Sequence, residues 1–122
     1  MKKRKILPAI FYRTAAGSEP VRVWLRSLSL EDRRIVGEDI ATIEFGWPVG
    51  MPHCRPIASR RGLWEVRSSL RNNRLARVLF SFCQGEMVLL HGFIKKTQQT
   101  PDGDLDLAMK RKKEFDRGKE TK

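Results

Sequence analysis

Cysteine, histidine and tyrosine are scarce in this chain: its 122 residues hold two Cys, two His and one Tyr. Cys54 and Cys83 have unrelated flanks and none of the crowded spacing of a secreted disulfide scaffold, so a reducing cytoplasm is the expected setting. His53, Cys54, Cys83 and His91 are the available soft metal ligands, and their spacing matches no familiar zinc pattern; neither a metal nor a cofactor is expected. No apolar run approaches the roughly 20 residues that span a bilayer. Met87 to Phe93 is too short, so no membrane attachment is expected. The basic start, Met1 to Lys5, carries the charge of a signal peptide, but Pro8, Tyr12 and Arg13 interrupt any apolar continuation, so export is not indicated. Repeats and low-complexity tracts are lacking beyond the basic termini.

Acid is also in short supply. Lys and Arg number 25 against 14 Asp and Glu, a net charge of +11. Such an excess suits a polyanionic partner: nucleic acid, an acidic protein or an anionic membrane surface, which charge alone does not separate. A hydrophobic fraction of 40% with three Trp predicts a packed core, and the length predicts one domain over 1–122.

Apolar, β-prone Ile6 to Tyr12 predicts a first strand, ended by Ala16-Gly17-Ser18. Ser18 as N-cap and Pro20 in the first turn predict a short helix to about Leu28, with Val21, Trp24, Leu25 and Leu28 on one face. Ser29-Leu30-Glu31-Asp32 resembles a capping box and opens a second helix to about Phe45, carrying Ile35, Val36, Ile40 and Ile43. Gly46 in the left-handed conformation and Pro48 would stop it, closing a helical hairpin. Three prolines and two glycines between Gly46 and Pro56 predict an irregular loop. Leu63 to Arg67, Leu75 to Cys83 and Met87 to Ile94 then predict an antiparallel meander. Alternation along the first of these puts Trp64 and Val66 on a core face and Glu65 and Arg67 on a working face. It also opposes Arg77, Leu79 and Ser81 to Val78, Phe80 and Phe82; Trp64, Phe80 and Phe82 are read as core and Trp47 as exposed. Thr100-Pro101, followed by Asp102, Asp104 and Asp106, starts a last helix to about Asp116 that carries Leu105, Ala108, Met109 and Phe115 inward. The predicted class is α+β: a curved antiparallel sheet with an N-terminal helical hairpin and a C-terminal helix, in the order β-α-α-β-β-β-α.

Four strings, Gly62-Leu63-Trp64-Glu65-Val66-Arg67, Arg77-Val78-Leu79-Phe80, His91-Gly92-Phe93-Ile94-Lys95-Lys96-Thr97 and Thr100-Pro101, together with this order, resemble the RelE/ParE toxin superfamily. Within it they are most similar to the phage-derived HigB-like branch. The resemblance covers nearly the whole chain. It implies a metal-independent endoribonuclease that cuts messenger RNA on the ribosome and is silenced by a helix-turn-helix, HigA-like antitoxin. A ParE-like gyrase inhibitor and a non-catalytic nucleic-acid or protein-binding module are the alternatives on the same scaffold.

RNA cleavage by internal attack needs the 2′-oxygen deprotonated, the pentacovalent phosphate stabilised and the 5′-oxygen protonated. The resemblance assigns this work to Arg67, Arg77, Lys95 and Lys96. Arg77 is the choice for the phosphate, because a guanidinium presents a planar fork of donors. His91 is a candidate base or acid near neutral pH. Each has a second reading: an ion pair with Glu65 or Glu86 for the arginines, sheet-edge protection for the lysines, a satisfied core position for His91. Phe115 stands where relatives often have tyrosine, and phenylalanine moves no proton. Arg60, Arg61, Arg71, Arg74, Lys110, Lys112 and Lys113 are candidate contacts to messenger or ribosomal phosphate, or solvated charges.

Overall fold

A computed structural model describes residues 4–48, 53–95 and 100–120. The helical hairpin comes first: α1 covers Pro20–Ser27 and α2 Leu30–Gly46. The Ser29 hydroxyl accepts from Asp32 N at 3.1 Å, so α2 starts on the cap the sequence offered. Ser18 does not cap α1; Glu19 holds that place without a side-chain bond, and Ser18 closes the preceding turn against Thr14. Nor is Gly46 left-handed. It is the last residue of α2, and the chain turns extended at Trp47.

The strands are β1 (Ala9–Phe11), β2 (Cys54–Pro56), β3 (Leu63–Ser69), β4 (Leu75–Cys83) and β5 (Glu86–Lys95), followed by α3 (Asp102–Glu120). They form one sheet in the order β1-β5-β4-β3-β2. The expected α+β layout is present, with two differences. The sheet is mixed, because β1 runs parallel to β5; the helical hairpin and three strands separate the two in sequence and supply the crossover a parallel pair requires. And Cys54–Pro56, read as loop, is an edge strand pairing Arg55 with Glu65. Three residues ending in proline carry too little pattern to signal a strand, and proline is tolerated there because an edge leaves one side unpaired. The hairpin turns are well encoded: Asn72 and Asn73, then Gln84 and Gly85, all hold the positive φ that tight two-residue turns need.

Both sheet faces are covered. Toward the hairpin, Val66, Val78, Phe80, Met87 and Leu89 pack with Val21, Val36, Ile40 and Ile43. Toward α3, Leu63, Leu79, Val88 and Leu90 pack with Leu105 and Ala108, flanked by Met109 and Phe115. Tyr12 donates to the Glu114 carboxylate, and Arg111 donates to Leu90 O at 2.8 Å, fastening α3 to the sheet. Phe82 is half exposed and stacks on Trp47, whose ring is partly buried, reversing the expected exposure of the two.

One irregularity decides what β5 presents. Leu79 pairs with His91 but Phe80 with Leu89, leaving Leu90 as an extra residue, a β-bulge. Before it, Met87 and Leu89 face the hairpin; strict alternation would send His91, Phe93 and Lys95 the same way. The bulge reverses the phase. Gly92 now lies against Trp24 of α1, where an added Cβ would stand 2.3 Å from the ring, while His91 reaches Asp104 of α3.

Candidate active site

On the α3 side of the sheet, side chains alternate so that Glu65 and Arg67 of β3, Arg77 of β4 and Lys95 of β5 share a face. They meet around one carboxylate. Glu65 is fully buried; its Oε1 lies 3.0 Å from Arg77 Nε, 3.3 Å from Arg67 Nη1 and 3.5 Å from Arg55 Nε. Its Oε2 accepts from Thr100 Oγ1 at 3.3 Å, so the lead into α3 crosses the cluster. Arg77 approaches Glu65 without hydrogen-bond alignment at Nε and donates through Nη1 to Ala76 O at 2.8 Å.

Four cations thus stand against one carboxylate, and the chemistry shows the strain of that surplus. Burial, then the neighbouring Arg67, hold the Arg77 guanidinium below its usual range, opposed by Glu65. Burial likewise lowers Lys95, followed by Arg77, again against Glu65. Exposure ranks the cations: the Arg55 side chain is 42% exposed, Arg67 24% and Arg77 3%. A docked anion therefore meets Arg55 and Arg67 first, with Arg77 lending charge from beneath.

His91 lies two residues from the Phe93 that pairs with Arg77, about 7 Å along the strand. Its Nε2 is 2.6 Å from Asp104 Oδ1, and its ring stacks on Phe93 at 5.4 Å. A carboxylate only accepts, so in the neutral ring the proton sits on Nε2 and Nδ1 keeps its lone pair.

Arg67, Arg77, His91 and Lys95 are therefore on one face; Lys96 lies outside the described residues. The other basic candidates are dispersed. Arg60 pairs with Asp106 at 2.9 Å and lies 3.7 Å from Asp102. Arg71 pairs with Glu31 at 2.6 Å, Arg74 grips Asp32 with both Nη atoms, and Lys112 pairs with Asp116. Arg61, Lys110 and Lys113 are exposed. Phe115 lines a separate cavity of about 520 Å³ with Tyr12 and Glu114. Sequence reasoning missed Arg55, because the strand that sets it opposite Glu65 was read as loop. It also took Glu65 only as an ion-pair partner, although a glutamate between Trp64 and Val66 on a working face was the available signal.

Among the described residues no three His, Cys, Asp or Glu side chains are grouped to hold a metal ion, and no helix is long and apolar enough to cross a membrane. A family model described as Phage derived protein Gp49-like (DUF891) matches residues 23–113, which include every strand except β1. No curated protein matches the chain.

Proposed function

The chain belongs to the Gp49-like family of phage-derived proteins, a toxin-like family within the RelE/ParE superfamily, and from that premise we propose that it is the HigB-like toxin of a toxin–antitoxin pair and cleaves messenger RNA on the ribosome. Such a family implies an antitoxin partner; the proposed one is a HigA-like helix-turn-helix protein, and the proposed setting is the cytoplasm.

The observation that carries this reading is the surplus of cations around Glu65 beside a carboxylate-oriented imidazole. His91 Nδ1 takes the proton of the 2′-hydroxyl. The 2′-oxygen bonds to phosphorus, the P–O5′ bond breaks, and Lys95 protonates the departing 5′-oxygen. The products are a 2′,3′-cyclic phosphate and a 5′-hydroxyl. Arg67 and Arg55 hold the non-bridging oxygens, and the buried Arg77 is a positioning residue whose charge supports them. Lys95 is suited to give up a proton because burial and the guanidiniums weaken its hold on it.

The test is a translation reaction programmed with a defined message. The wild-type chain is expected to produce fragments ending in 2′,3′-cyclic phosphate, and Arg67→Ala to lower cleavage about 100-fold without unfolding the chain. Intact message in the presence of translating ribosomes would refute the nuclease; DNA breaks in expressing cells would point to gyrase instead.

A further inference from the structure

β2 pairs only with the first part of β3, and the Arg67 amide already reaches past it to His53 O. Beyond that point a cleft of about 350 Å³ opens along the free edge of β3, lined by α2 and by residues of β3 and β4 that belong to the α3-side face, a size in the range of small-ligand sites, which begins near 300 Å³. Arg67 and Arg77 reach one part of it from the cation cluster. Ile35 of α2 and Leu75 of β4 give it apolar walls, and His53 and Asp39 give it polar ones. Ile35 and Asp39 are four apart and so share one helix face.

These parts match the parts of a nucleotide. The cations suit phosphate; the apolar walls and the His53 ring suit the flat faces of a base, which proteins bind by stacking when RNA is single-stranded. Asp39 decides which base. It is half-buried, and its carboxylate has no hydrogen-bond or ion-pair partner among the described residues. Two acceptor oxygens side by side fit two adjacent N–H donors. Guanine presents such a pair, N1–H and N2–H, on its Watson–Crick edge, whereas adenine, cytosine and uracil leave one oxygen unmatched, a cost in a half-buried site.

We infer that this cleft is a nucleobase subsite that selects guanine next to the scissile bond, with Asp39 as the specificity-determining residue. The inference rests on the nuclease reading and adds a substrate preference to it. Transcripts carrying all four bases at each position around the cut are translated with the protein, and the fragment ends are sequenced. The wild-type chain is expected to enrich guanine at one fixed position, and Asp39→Asn to reduce that enrichment about 10-fold. Asp39→Glu keeps the charge but displaces it by a methylene; it should blur the preference while melting like the wild type. Cleavage with no fixed guanine overturns the subsite and leaves the nuclease intact. So does a folded Asp39→Asn that keeps the preference, or one that instead loses antitoxin affinity, which would make the cleft a protein-docking site. A wild-type chain that cuts no transcript overturns the parent reading and this one with it.

Discussion

Asp32 and Glu65 are both buried carboxylates that meet arginine, and they do so in opposite ways. At the start of α2, Asp32 receives both Nη atoms of Arg74 at 2.7 and 3.0 Å, and Glu31 beside it pairs with Arg71. Two acids meet two bases, the charge is balanced, and the result ties the β3–β4 turn to α2. On the α3 face, Glu65 is shared by Arg55, Arg67 and Arg77, with Lys95 nearby, and the charge is not balanced. A balanced pair is an anchor. A surplus held in place by a buried carboxylate is a standing attraction for a polyanion, maintained at some expense in stability.

Breaking the unbalanced site at its centre should have the largest effect. Glu65→Ala leaves Arg77 buried without its carboxylate and is expected to destabilise the fold by about 3–5 kcal/mol, read by urea unfolding. A variant as stable as the wild type would mean that Glu65 does not hold the cluster.

Removing a surplus cation should act the other way. Lys95→Met is expected to cut cleavage about 100-fold while leaving the melting temperature equal to or above the wild type. The folded chain holds the Lys95 proton less tightly than the unfolded chain, whose value is near 10.4. The penalty is full below the folded value and is relieved as pH rises through it, so Lys95→Met should flatten the alkaline rise in stability. A matching loss of activity and stability would identify Lys95 as structural.

The balanced pair should give the smallest and most localised response. Arg74 hydrogen bonds hold the Asp32 carboxyl below the usual range against the opposing effect of burial. Its contribution is therefore present above the unfolded value of about 3.9 and is lost as pH falls through the lowered folded value. Asp32→Asn should make acid unfolding shallower there and leave RNA cleavage unchanged; altered cleavage would show that the two carboxylates are not independent.

Much of the layout was legible in the sequence because local chemistry decides it. Ser29 caps the Asp32 amide three residues on, and the Asn72-Asn73 and Gln84-Gly85 turns need only the positive φ of their own residues. The site was legible as residue types on strands, since β3 alternation puts Glu65 and Arg67 together. What they meet was not. Arg55 joins them through a three-residue edge strand, and His91, Phe93 and Lys95 reach the same face only because Leu90 bulges.

The sequence alone determined the basic charge, the helical and strand periods, the turns and the resemblance to a toxin superfamily. These properties belong to short stretches of chain or to composition. Tertiary structure decided that β1 runs parallel to β5, that one carboxylate gathers cations from three strands, and that Asp39 of α2 faces the same cleft as Arg67. Pairing direction, bulge phase and the approach of distant side chains depend on how whole elements pack, and no local pattern encodes the distance between two of them.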